Sequence, residues 1–221
     1  MNTKLKHLLW IGILCFPFLL QAQTNHRSES NMLSVHIGPS WYMDNPVGLT
    51  DYGSQYLNSL EKGGVNWNME YTYLFMHTLF TPGIGILYQG SRHSAQLPES
   101  SDKLLSHYIA PQVSLYYRPG RFNINFVMGM GALIYKNKST VYDKPRQVKL
   151  SKLAINFGLG GEYLITKHWG ASARLDFTGA FPKAYTVKYH GKEWEVYPHY
   201  PLPVSDVLSL LTFSAGINYH F

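Results

Sequence analysis

The stretch Phe122-Asn123-Ile124-Asn125-Phe126-Val127-Met128-Gly129-Met130-Gly131 decides how this chain is read. Phe122, Ile124, Phe126, Met128 and Met130 fall on one side of a period-two repeat, and Asn123, Asn125, Gly129 and Gly131 fall on the other. Alternation of this length marks a β-strand with two unlike faces, because successive side chains of a strand point to opposite sides. The faces differ in size as well as in polarity. A strand with one face in water would line that face with Lys, Glu and other long charged groups. Here the other face holds Asn and Gly with one Val, Val127, and no long charged group; such small residues fit the narrow interior of a small barrel and send the bulky face outward.

The same pattern recurs along the chain. Leu33, Val35, Ile37 and Trp41 oppose Ser34, His36, Gly38 and Ser40, and the run Val65 to Phe75 opposes Asn66, Asn68, Glu70 and Thr72. Further runs cover 82–90, 108–117, 153–165, 169–178 and 211–221, which brings the total to eight strands, an even number as in bacterial single-chain barrels. Connections alternate in length. Those near 44–62, 91–105, 136–150 and 182–206 are long, whereas those near 76–80, 118–121 and 166–168 are short. The expected fold is therefore all-β: an eight-stranded antiparallel up-and-down transmembrane β-barrel, with both termini on the short-turn, periplasmic side.

Composition supports a lipid-facing exterior. Charged residues are 14% of the chain, against about 25% in soluble domains, while 17 Tyr, 11 Phe and 5 Trp make it rich in aromatics. Lys4, Lys6 and His7 precede an apolar run from Leu8 to Leu20 and then Gln21-Ala22. This reads as a cleavable signal peptide over residues 1–22, its apolar run too short to span a bilayer as a helix, followed by a barrel domain over 23–221. The single cysteine, Cys15, lies in the leader, so no disulfide or thiol chemistry is expected of the mature protein. The formal charge of +6 falls to +4 without Lys4 and Lys6. Lys136, Lys138, Lys144, Arg146 and Lys149 against Asp143 account for all of that surplus. The basic balance is one local patch, read as facing lipopolysaccharide phosphates, and not a nucleic-acid surface.

The final residues Ser214-Ala215-Gly216-Ile217-Asn218-Tyr219-His220-Phe221 resemble the C-terminal β-signal that the barrel-assembly machinery reads, through Ser214, Gly216, Tyr219 and the terminal Phe221. With the leader and the meander, the mature chain resembles the small outer-membrane β-barrels of the OmpA/OmpX-like superfamily. That resemblance implies an integral outer-membrane location and assembly through the machinery. No peptidoglycan-binding segment follows the barrel, so a tethering role is not implied.

Candidate sites are few. Glu70, Glu162, Arg174 and Asp176 fall on inward positions and are expected to pair as a structural plug, with Glu162 and Arg174 near one level on adjacent strands. Ser91, His93, Ser94, Glu99 and His107 gather near one rim and could supply a nucleophile, base and orienter for a lipid-modifying enzyme of the lipid A deacylase kind. The His-x-Ser element of that resemblance is absent, and polar rim loops are commonly rich in these residues. A diffusion porin would need about sixteen strands. The histidines lack metal-ligand spacing, and the glycine pairs lack the strand-to-helix setting of phosphate loops, so no metal or cofactor is expected. Tyr185 to Tyr197 alternates around His190-Gly191 and predicts a β-ribbon held clear of the barrel, pairing Tyr189 with Lys192, Lys188 with Glu193 and Val187 with Trp194. Its open edges and the aromatics Tyr185, Tyr189, Trp194 and Tyr197 are the expected docking place for any protein partner. The expectation is a non-enzymatic envelope protein with a closed lumen.

Overall fold

The computed structural model describes residues 29–43, 46–49, 63–75, 79–96, 100–180, 184–197 and 208–221. The signal-peptide expectation for residues 1–22 lies outside them. Strands β1 (Asn31–Tyr42), β2 (Gly64–Leu74), β3 (Phe80–Gln96), β4 (Ser100–Tyr117), β5 (Phe122–Val141), β6 (Lys144–Leu164), β7 (Trp169–Ala180) and β10 (Leu208–His220) form a closed antiparallel barrel. β1 pairs with β10 to join the two ends of the meander, and β5 pairs with β6 to complete the ring. Asn31 and Phe221 exchange backbone hydrogen bonds of 3.0 and 2.9 Å, so the two ends of the barrel domain meet at one end of the cylinder. Two further strands, β8 (Tyr185–Tyr189) and β9 (Lys192–Val196), form a ribbon.

The wall has two storeys. In the lower one the bulky face points outward, with Ile37, Met69, Ile84, Val113, Phe126, Leu159, Leu175 and Ile217 all exposed. Its rim at the short-turn end carries an aromatic girdle, in which Phe80 packs on Tyr117 and Tyr219 packs on both Trp169 and Phe221. Inside, small and polar residues such as Ser34, Asn68, Thr72, Asn156, Thr212 and Ser214 are buried.

In the upper storey the pattern inverts, and this corrects the reading of 91–105 and 136–150 as long loops. β3 and β4 run on to Gln96 and Ser100, and β5 and β6 run on to Val141 and Lys144. Alternation continues there with apolar groups turned inward: Leu104, Tyr135, Val148 and Leu150 are buried, while Lys103, Lys138 and Lys149 face out. A sheet rising out of hydrocarbon into water must exchange its faces, so a search for outward apolar residues stops at the boundary while the strands do not. The β5–β6 hairpin closes on Tyr142 and Asp143, both at positive φ (46° and 60°), the geometry of a two-residue turn matched to strand twist.

Candidate functional site

The inward parity of the strands gathers the charged residues in the lower storey. Arg174 on β7 lies against Glu70 on β2, and its Nε donates to Asp176 Oδ1 at 2.7 Å. Glu70 Oε1 also accepts from Thr72 Oγ1 at 2.7 Å. All three ionisable side chains are at most 3% exposed, so each depends on the others for the charge stabilisation that water would have given. Glu162 does not join them, contrary to expectation. In the β6–β7 register Gly160 stands opposite Arg174 and Glu162 stands opposite Ser172.

Glu162 has its own partners near the short-turn end. His220 Nε2 lies 2.6 Å from Glu162 Oε1, Asn218 Nδ2 donates to the same oxygen at 2.9 Å, and Asn123 Nδ2 donates to Oε2. Ser172 Oγ donates to Asn218 Oδ1 at 3.0 Å. His36 follows, 2.7 Å from Ser172 Oγ and 2.8 Å from Asn68 Oδ1. Higher up, Gln89, Thr178, Thr212 and Asn156 are joined by hydrogen bonds of 3.0 to 3.1 Å. The parity of His220 and His36 already places them in the lumen, a signal that weighing histidine only as a metal ligand passes over. Among the described residues no cluster of His, Cys, Asp and Glu is arranged to hold a metal ion.

Apolar groups pack beside this polar column and above it. Met32, Leu74 and Tyr116, at most 2% exposed, pack together toward the short turns. Above, Tyr42, Leu87, Leu104, Tyr108, Leu133 and Tyr135 form a larger core together with Val47 and Leu49, which come from the segment after β1. Tyr135 Oη donates to the Val47 carbonyl at 3.1 Å. Asn137 Nδ2 and Arg146 Nη1 donate to the Gly48 carbonyl at 3.0 and 2.8 Å. Gly48 holds φ at +69°, a conformation open to glycine at little cost.

The rim residues weighed for catalysis do not assemble. Ser91 and His93 point inward, where His93 Nε2 meets Ser40 Oγ at 3.2 Å and its carbonyl at 3.0 Å. Ser94 points outward, and His107 Nδ1 meets Tyr88 Oη at 2.8 Å. Glu99 lies outside the described residues.

The basic patch is strand, not loop. Lys136, Lys138 and Lys149 face outward, Lys144 flanks the turn, and Arg146 turns inward to its bond with Gly48. The ribbon has the expected register, with Tyr189 opposite Lys192, Lys188 opposite Glu193 and Val187 opposite Trp194. His190 and Gly191 take positive φ of 49° and 78°. It is not held clear of the barrel, however. β8 pairs with β6 from Arg146 to Lys149, Val187 is buried, and Tyr185 packs on the upper core, so among the described residues the ribbon's unpaired edge is that of β9. Lys192, Glu193 and Glu195 on that edge discourage addition of another strand. Trp194 and Tyr197 stay exposed, and the Tyr197 hydroxyl, which donates to Glu195 Oε2 at 2.6 Å, has its pKa raised by that bond.

A scan of protein-family models and a search of curated protein sequences return no match. Solved structures do match. A major outer membrane protein from Thermus thermophilus aligns with a TM-score of 0.56 at 11% identity, over 87% of this chain and 100% of that one. Ail, the attachment invasion locus protein of Yersinia pestis, solved with the heparin analogue sucrose octasulfate, aligns with a TM-score of 0.51 at 14% identity, over 87% and 99%. The fold is the one these outer-membrane proteins share, a small closed antiparallel β-barrel. At these identities the likeness is one of fold, and what this barrel does has to be argued from its own lumen and rim.

Proposed function

We propose that the protein is an integral outer-membrane barrel that is closed to solutes, performs no catalysis, and acts in envelope structure and surface binding through the face it holds above the membrane. One observation carries this reading: the lumen is filled by buried side chains, the ion-paired groups around Arg174 and Glu162 with Met32, Leu74 and Tyr116 among them in the lower storey, and the core that takes in Val47 and Leu49 above. A water-filled path would need a continuous polar opening, and a catalytic site would need a nucleophile and base within hydrogen-bond reach of each other and of solvent. His93, at 2% exposure against the Ser40 hydroxyl and carbonyl, has no such access. The exposed apolar band gives the barrel its place in a membrane, since closure leaves no strand edge unpaired in hydrocarbon. The barrel-assembly machinery would act on β10, which carries Ser214, Gly216 and Tyr219, and on Phe221 directly after it.

Planar-bilayer recording with pure, folded protein tests the closed lumen. The expected result is an unmodified baseline with rare, small events. Stable channels of nanosiemens conductance from the monomer would overturn it.

A further inference from the structure

The strand register lines up cations that are far apart in sequence. One row across the outer face of the upper storey reads Arg92, Leu105, Lys136, Lys149, Thr186 and Glu195, each residue the register partner of the next on β3, β4, β5, β6, β8 and β9. The row above it reads Ser94, Lys103, Lys138, Gln147, Lys188 and Glu193. Among the described residues of these two rows, the acids stand only at the β9 end. Lys136 faces Lys149 directly, and Lys138 faces Lys103 directly. Like charges opposed across an antiparallel pair destabilise it, and this sheet does so twice in adjacent rows. A polyanion seated between the pairs reverses the sign of that interaction through charge-assisted hydrogen bonds. A groove over the upper row is lined by Lys103, Lys138, Gln147 and Lys188, with Arg146 and His190 beside them.

The height of the rows selects the anion. Directly below Lys136 on the outer face of β5 comes Ile134, 39% exposed, and below Lys149 on β6 come Ser151 and then Leu153, 66% exposed; Ile134 and Leu153 are the last apolar residues of the band on these two strands. The band on β5 runs from Phe122 to Ile134, and at about 3.3 Å per residue and a tilt near 45° it rises about 28 Å, the thickness of the hydrocarbon core. The lower row thus lies at the level of the lipid headgroups and the upper row about one headgroup layer higher.

We infer that Arg92, Lys103, Lys136, Lys138, Lys149 and Lys188 form a docking site for the phosphorylated headgroup of one lipopolysaccharide molecule, with the lysines replacing the divalent cations that otherwise bridge such phosphates. The inference rests on reading the apolar band as the lipid contact. It enlarges the patch legible in the sequence by Arg92, Lys103 and Lys188, and it leaves out Lys144, at the turn, and Arg146, which is bonded to the Gly48 carbonyl.

Native mass spectrometry of the detergent-solubilised, folded barrel with purified diphosphoryl lipid A, in the presence of EDTA, reads the site directly. Wild-type protein should retain one copy of lipid A in EDTA, and dephosphorylated lipid A should not compete for it. The variant Lys103→Gln/Lys136→Gln/Lys138→Gln/Lys149→Gln should bind it about tenfold more weakly or worse, a loss of about 1.4 kcal/mol. Lys144→Gln, at the turn beside the rows, should bind as wild type does. Equal retention by the quadruple variant, or loss of lipid A from the wild type on EDTA treatment alone, overturns the inference. So does displacement of bound lipid A by sucrose octasulfate at equal concentration, which would assign the rows to a soluble polyanion. Should the quadruple variant fail to fold, a salt titration of the wild type decides: binding unchanged from low to high salt overturns the inference, because exposed charges are screened. A conducting barrel that still binds lipid A would sink the closed-lumen reading and leave this one standing.

Discussion

Arg174→Met is the most informative single change to the lumen. Arg174 is 3% exposed and sits between two carboxylates that are each 1% exposed, Glu70 and Asp176. Replacing it with an apolar chain of similar length leaves both acids without their cation. Removing one partner of a buried ion pair costs about 3–5 kcal/mol, far more than the pair is worth against an apolar replacement, because the remaining charge is stranded. With two acids stranded, the upper part of that range is expected. A loss of about 4 kcal/mol lowers the folding equilibrium nearly a thousandfold. Asp176→Asn should behave quite differently. The trio carries one surplus negative charge, Arg174 keeps Glu70, and an amide oxygen at position 176 can still accept from Nε, so the cost should be about 1 kcal/mol or less. The double variant Glu70→Gln/Arg174→Met should be more stable than Arg174→Met alone, since it strands one carboxylate instead of two. Coupling between contacting residues is commonly about 0.5–3 kcal/mol. Urea titration in lipid vesicles, followed by tryptophan fluorescence and by the gel-mobility difference between boiled and unboiled samples, measures all three. An Arg174→Met barrel within about 1 kcal/mol of wild type, or a double variant less stable than the single, would refute the view of Arg174 as the neutralising centre of the lumen.

Removing Phe221 should lower outer-membrane levels and abolish heat-modifiable migration, read by fractionation and gels. The residue ends the lipid-facing aromatic girdle and closes β1 against β10. Gly216→Ala should impair folding at the same seam, because its Cβ would overlap the Val35 carbonyl oxygen and stand 2.7 Å from His36 Cα. Gly129→Ala, whose nearest contact would be 3.2 Å from the Pro111 carbonyl, should lower the midpoint of thermal unfolding much less. Val47→Asp should open the upper plug, since it buries a carboxylate in an apolar core. Limited proteolysis of intact vesicles should then cut near residues 46–49 at a rate about tenfold or more above wild type. Amide exchange should be slower in β8, which is paired on both edges, than in β9, which is paired on one. Equally fast exchange in both strands would mean that the ribbon does not lie on β6.

The parts of this architecture that are legible in the sequence are those where the surroundings force a pattern on single residues. Hydrocarbon outside and a narrow lumen inside impose bulky against small at every second position, so the lower storey can be read strand by strand. A two-residue turn leaves no freedom of register, so the pairs around His190 and Gly191 are legible to the residue. Long-range pairings are not. Glu162 meets His220 because β10 lies next to β7, one strand beyond β6, and both side chains point into the same narrow lumen, a consequence of strand order that no local pattern carries. The errors at Arg146 and Lys103 have another source, because the signal for both is present in the sequence. Counting parity outward from the clearest strands places Arg146 with Asn156 and Glu162 inside, and Lys103 with Ile109 and Val113 outside. A count that ends where the outward residues cease to be apolar loses both. The stopping point differs in kind from a strand end: after Ile134 on β5 and after Leu153 going up β6, the alternation persists while the two faces exchange character. A strand end destroys parity, whereas a waterline preserves it and swaps its contents, so the residue at which the swap occurs measures depth in the membrane. By that measure Lys136 is the first outward residue above hydrocarbon on β5, its register partner Lys149 follows Ser151 on β6, and the height assigned to the cation rows follows from parity and register.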